Sequence, residues 1–393
     1  MRLLVVSTKA PWPPADGGRL LLWLTLEGLA ARGIEPVVVA PAPADAGERR
    51  EAEARLAGLG GLRMVTARPR PWPLALLAAA LRGGPATMAR HALPAVGRAV
   101  REELARARPA LVWAQPLQAL GNLPTGAGPV VYRPENVESD LWAQLARQRA
   151  GSPWAPLLRR EARRLARAEG RAVARAALTL ALSPEDAAGL AALAAGAGRI
   201  EPLPPPFPAA LPPGVVPLAG SPALVAFGSP AWGPNRDALA WLREAVWPAV
   251  RARVPGARLH LFTGGAGEGE QIEVHPRPAE SAEAFAPGSI LLLPLRAASG
   301  VRVRLLEAWA RGVPVVATPE AARGLAAEDG RELLLGSTPA EIAAAVERLA
   351  AAPELAARLV AGGRARLAAR HDPAALAARL ADRLGELAGE GVA

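Results

Sequence analysis

Short apolar runs alternate along this chain with longer stretches whose apolar positions recur every three or four residues. The first pattern marks buried parallel strands and the second the helices that cross between them. In the first half, strands are predicted near residues 2–8, 35–41, 62–67, 110–115, 129–133 and 178–182. Helical patterns fall between them, notably over 18–32, 96–108, 138–148 and 155–177. The alternation stops at a tract dense in proline, Pro202, Pro204, Pro205, Pro206 and Pro208, where no period survives. Proline fixes φ and removes a donor, so this tract reads as a stiff connection. A second series follows, with strands near 223–228, 258–263, 272–275, 289–295, 313–317 and 332–335. Its helices are predicted over 235–252, 301–311, 338–351 and 353–370, and a last one over 373–388.

The expected organisation is α/β with two Rossmann-like domains. Residues 1–200 form the first, 201–222 the linker and 223–371 the second. The helix within 372–393 is free to cross back to the first domain. At 393 residues the chain exceeds what one core usually supports. Ligands of open parallel sheets bind at the carboxyl ends of the strands, so the two domains are expected to share one site there, across a cleft.

Composition removes several chemistries. There is no cysteine, so disulfides and thiolate metal sites are impossible. The four histidines, His91, His260, His275 and His371, show no ligand spacing, and no metal is expected. Lys9 is the sole lysine, which excludes a Walker A loop. No apolar run is long enough to span a bilayer, and residues 1–7 read as a buried strand rather than a leader. The expected setting is cytoplasmic. The net charge of +10 points to anionic partners.

Two loops carry candidate chemistry. At the first strand-to-helix junction, Asp16, Gly17 and Gly18 precede a helix, where free N–H groups and the helix dipole attract anions. At the second, Ser299 and Gly300 follow the buried run 290–295, with Arg302 and Arg304 in the predicted first turn. Cations there oppose the dipole, a cost that an anionic ligand offsets. Glu307 sits three residues beyond Arg304, the spacing of an intrahelical ion pair. The segment Gly264 to Gly269 imitates a dinucleotide fingerprint, but its spacing is wrong and a strand follows, so it is expected to be a loop. No Asp-x-Asp occurs.

The stretch from Gly300 to Thr318, Gly-Val-Arg-Val-Arg-Leu-Leu-Glu-Ala-Trp-Ala-Arg-Gly-Val-Pro-Val-Val-Ala-Thr, resembles the donor-site signature of family-4 glycosyltransferases. Other pieces resemble that family in the same order. They are Asp16-Gly17-Gly18, Asn136-Val137-Glu138-Ser139, Ser183-Pro184-Glu185-Asp186, Phe227-Gly228-Ser229, and Pro234-Asn235-Arg236-Asp237-Ala238. The resemblance implies the GT-B fold and a metal-independent, retaining transferase of the hexosyltransferase type, as in bacterial-type glycan biosynthesis. Its donor would be a nucleotide-diphosphate sugar and its acceptor a glycan, lipid-linked or small molecule. It gives no reason to expect a nucleic-acid partner or a cofactor.

By the same resemblance, the donor site comprises Ser229, Ser299, Gly300, Val301, Arg302, Arg304 and Glu307. Glu307 would take the ribose hydroxyls, and Arg302 and Arg304 the diphosphate, so these three are the candidate catalytic residues. Asp16, Gly17, Gly18, Glu135 and Asn136 would form the loop for acceptor and diphosphate. The sequence departs from the family at Ser299, where a glutamate usually stands, and at Glu135, where a histidine often touches the donor sugar. The Pro-Asn-Gly segment that commonly follows the first domain is missing. These departures leave a second reading open, a catalytically silent partner of an active transferase. A sugar-nucleotide epimerase on the same fold is a third, with few of the acidic and histidine groups it would need.

The helical stretch 155–177 places Arg159, Arg160, Arg163, Arg164, Arg167, Arg171 and Arg175 within roughly 160° of arc. Leu158, Ala162, Leu165, Ala172, Val173 and Ala176 lie opposite. Such a face is either solvated or a peripheral contact with anionic membrane, at the inner face for a cytoplasmic enzyme.

Overall fold

The computed structural model describes residues 1–264, 269–278 and 280–390. The chain divides into two compact units, the first made of Met1–Pro206, Ser299–Val301 and the segment from Pro373 on, the second of Phe207–Ala298 and Arg302–Asp372. The first unit runs β1 (Arg2–Ser7), α1 (Gly17–Ala30), β2 (Glu35–Pro41), α2 (Ala46–Ala57), β3 (Gly61–Val65), α3 (Trp72–Arg82), α4 (Ala86–His91) and α5 (Pro94–Ala107). It continues through β4 (Leu111–Gln115), β5 (Val130–Tyr132), α6 (Glu138–Gln148), α7 (Ala155–Arg175), β6 (Leu178–Ala181), α8 (Pro184–Leu193) and β7 (Ile200–Pro202).

All its strand pairs are parallel, in the order β3-β2-β1-β4-β5-β6-β7. Strand β1 is apolar at successive positions because helices cover both faces of the sheet. Leu3 and Val5 join one core with Leu22 and Leu26 of α1, while Leu4 and Val6 join another with Val96 and Val100 of α5.

The second unit runs β8 (Ala223–Phe227), α9 (Gly233–Trp241), a π turn (Leu242–Val246), α10 (Trp247–Arg253), β9 (Arg258–Phe262), β10 (Ile272–His275), β11 (Ile290–Leu293), α11 (Val303–Arg311), β12 (Val315–Ala317), α12 (Pro319–Ala322), β13 (Leu334–Leu335), α13 (Pro339–Ala351) and α14 (Pro353–Arg370). Its parallel sheet has the order β10-β9-β8-β11-β12-β13. The single helix expected over 235–252 is instead two helices joined by the π turn. Pro248 supplies the reason: it has no N–H for the carbonyl four residues back, and its ring crowds that carbonyl.

The proline tract also differs from a free linker. Its first residues belong to β7, an edge strand, where proline is tolerated. Beyond the unit boundary the tract is docked: the Phe207 N–H donates to His371 O (2.8 Å), Leu211 to Ala310 O (3.0 Å) and Gly214 to Phe285 O (3.1 Å). The last helix, α15 (Pro373–Glu390), belongs to the first unit, where Leu380, Leu384 and Leu387 enter the core beside α1. Gly28 of α1 makes room for Ala377, since a Cβ there would stand 2.8 Å from it. Of the glycine-rich segment read as a loop, Gly265 to Glu268 lies outside the described residues.

Helix α11 ends on Gly312, whose φ of 78° is the left-handed cap a glycine adopts without strain. The helix is held from behind by Trp309, fully buried, whose Nε1–H donates to Glu332 O (2.8 Å). Gly363 of α14 lies against that indole so closely that a Cβ would overlap ring atoms Cδ1 and Cγ. Gly363→Ala is therefore expected to lower stability by about 1–3 kcal/mol through overpacking. A lowered denaturant midpoint at unchanged m-value is the check; an unmoved midpoint refutes the packing account.

Candidate functional site

In an open parallel sheet, a crevice opens where the strand order reverses, because the loops on either side turn away from one another. In the second unit that point lies between β8 and β11. The loop after β8 is Gly228-Ser229, and Asn235 of α9 fastens it: its Nδ2 donates to Ser229 O at 3.1 Å. The loop after β11 is tied to the same helix by Arg296, whose Nε and Nη2 donate to both oxygens of Asp237 (3.0 and 2.6 Å). Ser229 Oγ accepts from Arg277, beside an open pocket lined by Pro230, Thr263, Gly264, Val274, Pro276 and Arg277.

Arg304 reaches into this crevice. Its guanidinium lies over the Phe227 ring, 4.9 Å from the centroid, and a Cβ on Gly228 would stand 2.7 Å from Nη1. Gly228 is thus the residue that lets the arginine approach the strand end. Burial first, then the nearby Arg302, pushes Arg304 down to about 10, with Glu307 opposing. Arg302 is the N-cap of α11 rather than part of its first turn, and its guanidinium lies over Trp232 (5.6 Å).

Glu307 does not pair with Arg304 as the three-residue spacing suggested. Its Oε1 accepts from Arg311 Nε at 2.9 Å, one turn later, and from Ser281 Oγ. The i,i+4 geometry is the better one for a glutamate placed N-terminal to its partner. Glu307 is buried, and its Oε2 has no bonding partner among the described residues.

In the first unit the order reverses between β1 and β4, and the expected loop residues gather at those strand ends. Asp16 caps α1, accepting from the Arg19 N–H (3.1 Å), and pairs with Lys9 (2.7 Å). Burial alone would raise Asp16; Lys9 and the Arg19 N–H outweigh it and hold the carboxyl below its ordinary range.

The space beside Gly18 is filled from within the protein. A Cβ on Gly18 would lie 2.6 and 2.7 Å from the two Glu135 carboxylate oxygens. Glu135 Oε1 accepts from Gln115 Nε2 (3.3 Å), at the end of β4. Burial, with Asp16 adding to it, raises Glu135 to about 7, against the pull of Gln115 and Lys9. Asn136 Oδ1, next along the loop, is buried without a hydrogen-bond partner.

Ser299 and Gly300 belong to this unit. Ser299 Oγ accepts from the Val137 N–H (2.9 Å), and Gly300, at φ 71°, packs against the backbone of Glu135 and Asn136. Val301 is buried. Gly17 opens α1. The Ser299 hydroxyl is therefore engaged with the backbone of the Glu135 loop.

Three features escaped the sequence. Glu161 and Glu169 sit on the buried side of the arginine-rich α7 and serve neighbouring helices. Glu161 Oε1 accepts from the Thr87 N–H (3.0 Å) in α4, and Glu169 from the N–H groups of Glu138 (2.6 Å) and Ser139 (3.2 Å) at the start of α6. Arg133, also buried, donates to the carbonyls of Leu180, Ala181 and Leu203, tying β6 and β7 together. The histidines are not scattered in space: His260 Nδ1 and His275 Nε2 lie 2.9 Å apart across β9 and β10, with Glu273 Oε2 3.6 Å from His260. His260 Nε2 donates to Ala219 O (2.8 Å), so its Nδ1 accepts from His275 Nε2. Parallel pairing of neighbouring strands brought together residues that sequence spacing kept apart.

Residues 221–352 match the family described as glycosyl transferases group 1. No curated protein matches the chain by sequence. Among solved structures, the chain is similar to sucrose-phosphate synthase from Thermosynechococcus elongatus, at 16% identity and TM-score 0.72, over 98% of each chain. It is also similar to Anabaena HepE in complex with UDP-glucose, at 15% identity and TM-score 0.64, over 98% of this chain and 100% of that one. WaaG, a glycosyltransferase involved in lipopolysaccharide biosynthesis, matches at 14% identity and TM-score 0.56, over 98% and 99%. Residues 221–352 thus match glycosyl transferases group 1, in a chain that has the two-sheet GT-B fold.

Proposed function

We propose that this chain is a retaining, metal-independent glycosyltransferase that takes its sugar from a nucleoside-diphosphate sugar and passes it to a glycan or a lipid-linked acceptor. The observation that carries the reading is Arg304, half-buried in the switch-point crevice beside Gly228, with Arg302 next to it and the local carboxylate, Glu307, committed to Arg311. Two cations held at the start of a helix oppose its dipole, and a diphosphate is the ligand that relieves them. They supply the charge stabilisation that a metal ion supplies elsewhere. Glu307 Oε2 then accepts from the ribose hydroxyls, and the pocket beside Ser229 takes the base. HepE is known in complexes with UDP-glucose and with UDP, which supports the donor class.

In this reaction the bond from the anomeric carbon to the diphosphate breaks. The acceptor oxygen bonds to the same face, and the departing phosphate oxygen takes the acceptor's proton. The protein positions the reactants and stabilises the charge that develops on the leaving group.

Thermal unfolding against UDP, GDP, ADP and dTDP, in EDTA throughout, tests the donor site. One nucleotide is expected to raise the midpoint with concentration, adding about 2.7 kcal/mol at a hundredfold excess over Kd, and Glu307→Ala to abolish the rise. A flat panel overturns the assignment. The engagement of Ser299 with Val137 favours one other reading, a GT-B protein that binds nucleotide without transferring sugar. A nucleotide-dependent shift with no turnover of any donor would establish that reading instead.

A further inference from the structure

Helix α3 is turned the opposite way from a normal surface helix. It buries Ala75 and Ala79 and points Leu74, Leu77 and Leu81 outward, at 56%, 57% and 79% exposure. Folding alone would place the leucines inside, since each costs far more than an alanine to leave in water. Spacings of three and four residues make them one stripe on the outer side of the helix. Trp72, at the head of α3, is itself exposed and lies under the Arg90 guanidinium of α4, 4.9 Å from the ring centroid. Through the Thr87–Glu161 hydrogen bond, α4 in turn joins α7.

Trp154, the N-cap of α7, is 62% exposed, and Leu157 in the first turn is also exposed. Arg159, Arg160, Arg163, Arg167 and Arg171 then lie on its outer side, and none makes an ion pair with a described residue. An outward leucine stripe, two exposed tryptophans and a row of uncompensated arginines are thus carried on α3 and α7, two helices that α4 links.

We propose that α3 and the outer face of α7 form a docking surface for an anionic lipid bilayer. Each part matches one depth of such a surface. The leucines enter the boundary between headgroups and acyl chains, and the tryptophans lie at headgroup level. The arginines reach lipid phosphates, their stems covering apolar surface on the way. Contact with a second copy through the same face would set the arginine rows against each other, whereas the bilayer supplies the opposite charge. Among the described residues no helix is long and apolar enough to cross a membrane, so the contact is one of lying on the surface. The assignment goes beyond the transferase reading and does not depend on it.

Co-sedimentation of the full chain with vesicles is the test, using equal parts phosphatidylcholine and phosphatidylglycerol against phosphatidylcholine alone. Binding is expected to the anionic vesicles, at least tenfold weaker to the neutral ones, and weaker as salt shortens the screening length. The double variant Leu77→Glu with Leu81→Glu, both at exposed positions, is expected to lose at least tenfold in partitioning, as is Arg159→Glu with Arg163→Glu. Both should keep the wild-type unfolding midpoint. No binding to anionic vesicles at low salt overturns the proposal. So does binding that survives the leucine variant, which would leave α3 outside the contact. A dimer in sedimentation velocity that the leucine variant dissolves, without vesicle binding, would instead make the stripe an interface between copies.

Discussion

Replacing Arg304 with alanine is expected to lower turnover of the nucleotide sugar by about 10²–10³-fold while the protein stays folded. The two halves of that expectation have separate causes. Arg304 is held against Gly228 and the Phe227 ring, where burial and Arg302 together push it down to about 10. The protonated guanidinium is thus kept where the free protein disfavours it, and its removal relieves a repulsion rather than breaking an ion pair. The unfolding midpoint should therefore stay level or rise.

A residue of purely structural value would behave the other way, losing midpoint and turnover together. Arg304→Lys keeps the charge but gives up the planar fork, so turnover between that of the alanine variant and the wild type is expected. In kinetic terms, kcat should fall more than KM rises, because the charge on the diphosphate grows as the sugar leaves it. Wild-type turnover in a folded Arg304→Ala variant would remove the crevice from the reaction.

The positions of these strands along the chain were legible because strands buried on both faces read as unbroken apolar runs, as in 290–293 and 315–317. Helix α11 was legible for a related reason: its motif is contiguous, so Arg304 and Glu307 arrive on one element. What stayed hidden depended on tertiary neighbours. Glu161 and Glu169 look like ordinary members of a charged helix until α4 and α6 present their N-termini to them. The true partner of Glu307 was open to choice between residues on either side, and geometry favoured Arg311. Ser299 could be matched to a family position, but nothing in the sequence says that its hydroxyl faces the Val137 N–H. The outward leucines of α3 were the least legible, because an apolar pattern gives the presence of a stripe and not the side on which the core lies.

Glu135 gives the second large effect, and it is one of pH. By the family resemblance, the residue stands where a histidine often touches the donor sugar, and a carboxylate cannot donate a hydrogen bond as an imidazole N–H does. The fold supplies a remedy: burial, with Asp16 nearby, raises Glu135 to about 7. Below that pH the group is neutral and carries an O–H; above it, it is an anion and only accepts.

If the neutral carboxyl serves the donor sugar, kcat/KM falls about tenfold for each pH unit above 7. Glu135→Gln fixes a neutral donor of similar shape and should flatten that limb while retaining activity at pH 9. The same shift acts on stability. A carboxyl whose folded value is raised contributes most below its unfolded value, near 4.5, and that contribution is lost as pH rises through 7. The glutamine variant should therefore lose less of its unfolding midpoint between pH 5 and pH 8 than the wild type does. A wild-type rate that is level from pH 6 to pH 9 would show that the proton on Glu135 plays no part. A glutamine variant inactive at every pH would show instead that the carboxylate itself is required, as an acceptor or a base.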